Sequence, residues 1–215
     1  MIKAIIFDLD GTLLNTSCDI QAVINDSLKR FNLPELSLEK TMQFVGNGAR
    51  KLVERAVGER TDLTEEVYKD YSVNFANWDN KFAALYEGEE KALKNFKAAN
   101  IKTAIVTNKP HDATMRVFDQ YLSNFGFNEV LCQTKQHPLK PNPASTLDVI
   151  ARFGVKKQDC LFVGDGETDV QTAANASIKC ASVLWGFRTK AQLEKAGAKL
   201  FVNTFKELED IVFKS

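Results

Sequence analysis

Hydrophobic positions along the chain form two patterns. Short apolar runs without strict alternation lie at residues 4–7, 103–106, 127–132, 160–163, 179–184 and 199–202. Runs this short, rich in β-branched residues and followed by Gly or polar residues, are typical of strands buried on both faces. Helical patterns, with apolar residues three and four positions apart, lie between them. The alternation from about residue 85 to the end predicts an α/β fold, with an open parallel sheet and helices on both faces.

Helix starts support this alternation. A helix is predicted over 143–153, because Asn142 can cap its first turn and Pro143 suits the first helical position. Thr189 and Thr204 each stand three residues before a Gln or a Glu, which is the spacing of a capping box. The last two helices are therefore predicted to begin at these threonines. A further helical pattern covers residues 85–99.

The segment that follows the first strand differs from the rest. From about residue 15 to 84 it carries helical periodicity and no strand pattern, although the first strand is already complete at residue 7. We therefore predict a helical domain of residues 16–84, inserted into a core domain of residues 1–15 and 85–215. Its aromatic stretch is interpreted as helix core rather than as a binding platform, and comprises Tyr68, Tyr71, Phe75, Trp78 and Phe82.

Composition narrows the class of protein. The chain has 215 residues, of which 44% are hydrophobic and 26% charged, so a disordered or fibrous chain is excluded. Lys and Arg number 28 and Asp and Glu number 28, which leaves no basic field to attract nucleic acid or anionic lipid. The four Cys form no C-x-x-C pair, and the first apolar stretch is too short for a leader peptide or a membrane span. We expect a cytoplasmic monomer or homodimer that binds neither nucleic acid nor membrane.

Residues able to do chemistry follow three predicted strands and precede one helix. They are Asp8 and Asp10 after the first strand, Thr107 and Asn108 after the second, Lys140 before the helix at 143, and Asp165 and Asp169 after the run at 160–163. Ligands bind outside the carboxyl ends of the strands in an open parallel sheet, so these side chains are expected at one site. Each motif alone also fits a turn or a solvated surface group. The complete set, in this order, favours a site.

The predicted site has the composition of a phosphoryl pocket. Carboxylates brought together repel one another, so a hard cation is expected among them, and Mg²⁺ suits oxygen ligands at this density. A carboxylate nucleophile beside that cation, a hydroxyl, an amide and a lysine fits a dianionic phosphoryl group. The sequence has no P-loop, no G-x-G-x-x-G after the first strand, no G-x-S-x-G and only two His. Ser-His and zinc chemistry therefore have little support.

These motifs resemble those of the haloacid dehalogenase-like phosphohydrolases, over essentially the whole chain. The matching segments are FDLDGTL at 7–13, VTN at 106–108, KPNP at 140–143 and GDGETD at 164–169. The resemblance implies a Rossmann-like core with a helical cap inserted after the first strand. Residues 44–56 and 86–110 are similar to the phosphoglycolate phosphatase branch of that family.

The resemblance also implies a role for each carboxylate. Asp8 would attack phosphorus and form an aspartyl phosphate, and it would be a metal ligand. Asp10 would be the general acid and base, while its backbone carbonyl binds Mg²⁺. Asp165 would be a further direct ligand. Asp169 would orient metal-bound waters and pair with Lys140.

The phosphoryl group would be held by the remaining motif residues. Thr107 and Asn108 would bind its oxygens, and Lys140 would neutralise charge that builds up in the transition state. The chain departs from the branch at Asn15, where an acidic residue is common, and at Glu87, where Pro often precedes the Gly. Gly166 stands where Ser or Thr is frequent. None of these departures replaces a residue with a predicted chemical role.

The loop formed by Gly46, Asn47, Gly48 and Arg50 has two interpretations. It fits a helix start, with Asn47 or Gly48 as the N-cap and Arg50 in solvent. It also fits a substrate loop of the cap, in which two glycines let the backbone approach the substrate while amides or Arg50 face its carboxylate.

The sequence thus predicts a Mg²⁺-dependent phosphomonoester hydrolase of a small phosphorylated metabolite, with 2-phosphoglycolate as the leading candidate. A phosphomutase of the β-phosphoglucomutase kind, or a pyrophosphatase or nucleotidase, would keep the same fold. A phosphate-binding regulatory protein is an alternative of a different class. The joint presence of Asp8, Asp10, Lys140 and Asp165 argues against it, because binding alone would not require both members of the Asp8–Asp10 pair.

Overall fold

The computed structural model describes residues 1–134 and 137–214. Six of its strands form one parallel sheet, and two more form a separate antiparallel pair. In chain order the strands are β1 (Ala4–Phe7), β2 (Leu14–Asn15), β3 (Ala84–Leu85), β4 (Lys102–Val106), β5 (Glu129–Leu131), β6 (Cys160–Gly164), β7 (Lys179–Val183) and β8 (Leu200–Val202). The order across the large sheet is β5, β4, β1, β6, β7, β8. The predicted open parallel sheet is confirmed.

Helices cover both faces of the sheet and fill the insertion. In the described part of the chain they are α1 (Ser17–Arg30), α2 (Leu38–Phe44), α3 (Ala49–Ala56), α4 (Thr64–Asn77), α5 (Glu89–Ala98), α6 (His111–Tyr121), α7 (Ala144–Phe153), α8 (Glu167–Ala176), α9 (Lys190–Lys195) and α10 (Phe205–Lys214). Helices α1 to α4 lie within the insertion, and we call them the cap below.

Strand β1 shows why the core strands carry no alternation. Ile5 and Phe7 pack into one apolar cluster with residues of α5 and α10, while Ala4 and Ile6 pack into another with residues of α7 and α8. All four side chains are fully buried. Because both faces are covered, every position of the strand must be apolar. Asp8 is the first residue beyond this run, at the carboxyl edge of the sheet.

Helix starts follow the capping signals closely. The N–H of Gln192 donates to Oγ1 of Thr189 at 3.4 Å, and the N–H of Thr189 donates to Oε1 of Gln192 at 2.9 Å, so both bonds of the predicted capping box form. Oγ1 of Thr204 accepts from the N–H of Glu207 at 3.1 Å, but the Glu207 carboxylate accepts from the N–H of Asn203 at 2.8 Å, one residue before the predicted partner. Oδ1 of Asn142 accepts from the N–H of Ala144 at 3.0 Å, although α7 begins one residue later than predicted.

The cap has an apolar core of its own. Helices α1 to α4 share one cluster, in which Tyr71 and Phe75 are buried and against which Tyr68 and Trp78 pack. Phe82 lies beyond the end of α4 and is 53% exposed, so its assignment to the helix core was wrong.

Two short strands at the junction of cap and core were not predicted. β2 pairs with β3 in antiparallel fashion, so the chain leaves and re-enters the core side by side. The inserted segment was predicted to have no strand, but it contains Ala84 of β3. The helix predicted to start at residue 85 begins at Glu89, after Gly88 in a left-handed conformation. Strands of two residues are too short to show periodicity.

The division into core residues 1–15 and 85–215 and inserted residues 16–84 stays a prediction. The cap cluster favours it, because all of its buried members except Ala113 come from the insertion. The paired strands β2 and β3 lie at the two predicted boundaries. No helix in the described ranges is both long enough and apolar enough to span a bilayer.

Candidate active site

Asp8 is fixed at the carboxyl edge of the sheet by its own backbone. Its N–H donates to the carbonyl of Val163 at 2.9 Å, which continues the ladder from β1 to β6. Oδ1 of Asp8 accepts from the N–H of Leu9 at 2.7 Å and lies 2.8 Å from Nζ of Lys140. Its other oxygen, Oδ2, accepts no hydrogen bond from the described residues. Oδ2 is therefore the oxygen available to attack a substrate or to bind a metal.

Lys140 connects Asp8 to a second carboxylate. Its Nζ donates to Oδ1 of Asp169 at 2.7 Å, and only 2% of the lysine side chain is exposed. Oδ2 of Asp169 accepts from the N–H of Gly166 at 2.9 Å, at the start of α8. The ammonium group is thus held between a carboxylate that directly follows β1 and one in the first turn of α8.

Asp165 follows β6 and packs against the turn after β1. Its Oδ1 accepts from Oγ1 of Thr12 at 3.3 Å, and its Oδ2 accepts from the N–H of Phe187 at 2.7 Å. A Cβ at Gly11 would lie 2.4 Å from Oδ2 of Asp165, and Gly11 has a φ of +83°. Only glycine meets both demands without strain. The Asp-Gly pair of the first motif therefore permits this close approach.

Burial and mutual repulsion act on the clustered acids. Burial, together with the charges of Asp169 and Asp165, raises the pKa of Asp8 to about 8, although Lys140 opposes this shift. Burial and the charge of Asp169 raise the pKa of Asp165 to about 7. Burial lowers the pKa of Lys140, but the charges of Asp169 and Asp8 outweigh it and raise that pKa overall. One ammonium group therefore does not balance the negative charge that these acids can carry.

Three of the acids could share one metal ion. Asp8, Asp165 and Asp169 can each offer a carboxylate oxygen, and these oxygens lie within 4.8 Å of one another. A donor set made only of carboxylate oxygens suits a hard divalent cation. The carboxylate of Asp10 is not part of this group, in keeping with the expectation that only its backbone carbonyl would reach a metal.

Asp10 is held beside the start of the cap. Its Oδ1 accepts from Oγ1 of Thr16 at 2.6 Å and lies 2.9 Å from Nζ of Lys109. Thr16 immediately precedes α1, so this hydrogen bond ties the acid to the junction between core and cap. Sequence reasoning did not identify Lys109, although it directly follows the Thr-Asn pair.

Thr107 and Asn108 follow β4, and each makes hydrogen bonds that fix the edge of the sheet. The N–H of Thr107 donates to Leu131 at 3.0 Å and extends the ladder to β5. Oδ1 of Asn108 accepts from the N–H of Lys140 at 2.7 Å, while its Nδ2 donates to the carbonyls of Lys140 and Gly46, at 3.1 and 2.9 Å. This amide joins the loop of Lys140 to the cap. Its predicted contact with a phosphoryl group stays a prediction, and the side chain positions its neighbours.

Arg188 is a second contact between core and cap that sequence reasoning missed. Its Nε donates to Glu167 at 2.8 Å, and its terminal nitrogens donate to the carbonyls of Met42 at 2.5 Å, Val45 at 2.6 Å and Gln43 at 3.4 Å. The last carbonyls of a helix have no partner within it, so this core arginine caps the end of α2. Its position after β7, at the same sheet edge as the motifs, was the one feature of the sequence that could have identified it.

The loop of Gly46 and Gly48 is a helix start and also borders the cavity, so the two interpretations are compatible. Gly48 is the N-cap residue of α3, so the loop is a helix start. Both glycines also line the cavity between cap and core. Gly48 has a φ of +87°, and a Cβ there would lie 3.0 Å from Cδ1 of Leu139, in the loop that precedes Lys140.

The other two loop residues face away from the cavity. Oδ1 of Asn47 accepts from Arg55 at 2.8 Å, within the cap. Arg50 forms an ion pair with Glu65, lies over the ring of Tyr68 at 5.4 Å and is half exposed. A role for Arg50 at the substrate stays a prediction, and would require it to leave these partners.

The cavity itself is charged on one side and apolar on the other. The core supplies the acids of the motifs and Lys109, while the cap supplies Leu52, Tyr71 and Phe75. Nζ of Lys109 lies 4.3 Å from the centre of the Phe75 ring. Sequence reasoning assigned the two aromatic residues only to the cap core, because a helix pattern does not reveal which buried side chains also border a cavity.

Comparison with known proteins agrees with this geometry. Residues 5–183 match the haloacid dehalogenase-like hydrolase family. Phosphoglycolate phosphatase 1 of Pseudomonas aeruginosa is 29% identical over 96% of this chain and 78% of its own length. Phosphoglycolate phosphatase of Haemophilus influenzae strain 86-028NP is 29% identical over 98% of both chains. The predicted class of enzyme, a phosphatase, is confirmed.

Solved structures share the whole architecture. A crystal structure from Lactobacillus delbrueckii subsp. bulgaricus superposes with a TM-score of 0.91, at 27% identity over 98% of each chain. A predicted phosphoglycolate phosphatase from Haemophilus somnus gives a TM-score of 0.88, at 26% identity, over 98% of this chain and 97% of its own. These likenesses extend over cap and core together. With its four motifs at one sheet edge and a family match over most of its length, the chain belongs to the haloacid dehalogenase-like hydrolase family.

Proposed function

We propose that the protein is a Mg²⁺-dependent phosphomonoester hydrolase that works through an aspartyl phosphate, with 2-phosphoglycolate as its substrate. One arrangement carries the proposal: Asp8, with one free oxygen, is held by Lys140 beside two further carboxylates, and Asp10 lies next to it in the chain. The names of the Pseudomonas and Haemophilus relatives support the choice of substrate.

In the first step Oδ2 of Asp8 attacks phosphorus, and the bond from phosphorus to the ester oxygen breaks. Asp10 donates a proton to that oxygen, so the leaving group departs as a neutral alcohol. Lys140, fixed between Asp8 and Asp169, places its charge where negative charge builds up. The products of this step are the alcohol and the phosphorylated Asp8.

In the second step a water molecule attacks phosphorus and gives its proton to Asp10. The bond from Asp8 to phosphorus breaks, inorganic phosphate leaves, and both carboxyl groups regain their starting protonation. The sum is one ester and one water converted to one alcohol and one phosphate. Lys109 and Thr16 hold Asp10 in place for both proton transfers.

The acids fit a bound Mg²⁺. Asp8, Asp165 and the backbone carbonyl of Asp10 would hold it, and Asp169 would orient its water ligands. When bound, the ion neutralises the charge of these carboxylates and of the phosphoryl group. The raised pKa values of Asp8 and Asp165 support this assignment, because they reflect crowded acids with too little positive charge nearby.

The cap would select the leaving group. The motif acids and Lys140 recognise only a phosphoryl group and a metal, whereas the cavity is closed on its other side by the loop of Gly46 and Gly48 and by apolar side chains of the cap. A closed cap also excludes water that would compete with Asp8. The close packing of this loop against the core leaves room for a small acid such as glycolate.

A panel of phosphate esters tests the proposal. Released phosphate is measured with 2-phosphoglycolate, a sugar phosphate, pyrophosphate and a nucleoside monophosphate, in Mg²⁺, in excess chelator and in Ca²⁺. We expect the highest kcat/KM for 2-phosphoglycolate, loss of activity in chelator, recovery with Mg²⁺ and poor activity with Ca²⁺, which is larger and coordinates more loosely. Full activity in chelator would contradict the metal requirement. A higher kcat/KM for another ester would contradict the assignment of 2-phosphoglycolate as the substrate.

A further inference from the structure

Lys109 is a buried cation with N–H donors that the proposed chemistry does not use. Its side chain is 1% exposed and lies between Oδ1 of Asp10, at 2.9 Å, and the ring of Phe75, at 4.3 Å. An ammonium group has three N–H donors. Among the described residues only the one carboxylate accepts a hydrogen bond from it. A buried lysine with a single acceptor can take a further anion.

The other cations near the cavity are already engaged. Nζ of Lys140 binds Asp8 and Asp169. Arg188 makes four hydrogen bonds, to Glu167 and to three carbonyls at the end of α2. A second negative charge on a substrate therefore finds Lys109 more readily than either of them.

The position of Lys109 matches the shape of a small acid. Asp10 must touch the ester oxygen to protonate it, and Lys109 touches Asp10. In 2-phosphoglycolate a single methylene separates the carboxylate from the ester oxygen. With the phosphoryl group on Asp8 and the ester oxygen at Asp10, such a carboxylate lies in the neighbourhood of the ammonium group.

We propose that Lys109 determines specificity by binding an anionic group of the leaving alcohol, so that the substrates are small phosphate esters bearing a carboxylate. This rests on the proposed function. The surroundings strengthen the effect: Leu52, Tyr71 and Phe75 border the cavity, and a charge pair away from water is stronger than one in solvent. A neutral hydroxyl in place of the carboxylate gains much less from the lysine.

Two esters that differ only at this group provide the test. The ratio of kcat/KM for 2-phosphoglycolate to that for 2-hydroxyethyl phosphate is measured in Mg²⁺ for the wild type, Lys109→Met and Lys109→Arg. Lys102→Met is the matched control, because Lys102 lies at the opposite end of β4, over the ring of Phe153. Any loss that Lys109→Met causes through Asp10 affects both esters and cancels in the ratio.

We expect the wild type to favour 2-phosphoglycolate by about tenfold or more, and Lys109→Met to reduce this ratio by about tenfold or more. Lys109→Arg keeps the charge and should hold the ratio within about threefold of the wild type, as should Lys102→Met. An unchanged ratio in Lys109→Met would overturn the proposal and leave the phosphatase intact. A wild type that hydrolyses both esters equally would overturn it too, without relying on any variant. Release of phosphate from neither ester would overturn the proposed substrate class together with it.

Discussion

The two sides of the cavity are built in different ways. On the core side, charged side chains gather at the carboxyl edge of the sheet and bind one another, as Lys140 binds Asp8 and Asp169. On the cap side, backbone carbonyls accept hydrogen bonds from Asn108 and Arg188 of the core, and the Phe75 ring lies against Lys109. The core side of the site is therefore held by contacts within the core, whereas the cap side is complete only when cap and core meet.

This difference separates reaction from selection. The motif residues Asp8, Lys140 and Asp165 would perform the same chemistry on any phosphoryl group, because they meet only phosphorus, its oxygens and a metal. The cap loop, held by core side chains, would decide which leaving group fits. Changes to the motif residues of the core should therefore affect all substrates alike, whereas changes at Lys109 or at the contact between cap and core should affect some substrates more than others.

The largest effect is expected from Asp8→Asn. The substitution removes the attacking charge and nearly preserves volume, so kcat should fall by about three orders of magnitude or more for every ester. Phosphate release from 2-phosphoglycolate and from an aryl phosphate measures the loss, and thermal unfolding checks that the fold survives. A variant that kept near wild-type kcat would show that Asp8 is not the nucleophile.

Arg188→Met removes the main side-chain donor from the core to the cap. It leaves three carbonyls at the end of α2 without their core donor, so the closed cap loses stability and kcat/KM for 2-phosphoglycolate should fall about tenfold, or about 1.4 kcal/mol. Hydrogen exchange over residues 38–48 should become faster. Arg152→Met removes an exposed arginine that contacts only core acids and serves as the control. Unchanged exchange in Arg188→Met would refute the role of the arginine in closure.

Two substitutions within the cap loop separate its residues. Gly48→Val places a side chain against Leu139 at a left-handed backbone position, so it should lower kcat/KM for 2-phosphoglycolate by about tenfold and affect an aryl phosphate less. Arg50→Ala breaks an exposed ion pair with Glu65 and should change kcat/KM by less than about threefold. A larger effect of Arg50→Ala would show that this arginine turns to the substrate in solution, as the sequence allowed.

The smallest effect on activity is expected at Glu89, which belongs to neither side of the cavity. Burial raises its pKa from 4.5 to about 9, although the N–H of Tyr86 opposes the shift. Between these values the folded state binds more protons than the unfolded state, so the free energy of unfolding falls as the pH rises from 4.5 towards 9. Glu89→Gln removes this titration while it can still accept from Tyr86.

Urea unfolding at about pH 5 and about pH 8 measures that dependence. The stability of the wild type relative to Glu89→Gln should be lower at the higher pH, with kcat/KM within about threefold. An equal difference in stability at both values would mean that Glu89 titrates alike in the folded and unfolded chain.

The sequence predicted the core better than the contact between the two parts. Strands buried on both faces leave apolar runs that can be recognised singly, and Asp8, Lys140 and Asp165 stand at fixed positions relative to them. Arg188 and Lys109 also follow strands, but their importance depends on what the cap brings opposite them. Their partners are backbone carbonyls and the Phe75 ring, and neither leaves a motif in the sequence.

The small sheet at the junction was missed for a related reason. β2 and β3 are two residues long each, so pairing across about seventy positions of sequence, and not periodicity, defines them. Local patterns predict elements that are long or buried on both sides. They do not predict short elements that exist only because distant segments meet.

Trapping the phosphorylated enzyme tests the account most directly. Asp10→Asn cannot accept the proton of the attacking water, whereas an aryl phosphate has a leaving group that needs little acid, so the first step proceeds and the second slows. The reaction is quenched in acid and the peptides are analysed by mass spectrometry. The account predicts a phosphoryl group on the peptide that contains Asp8, and none in Asp8→Asn. Continued release of phosphate with no phosphoryl group on Asp8 at any time, or its appearance on another residue, would contradict it.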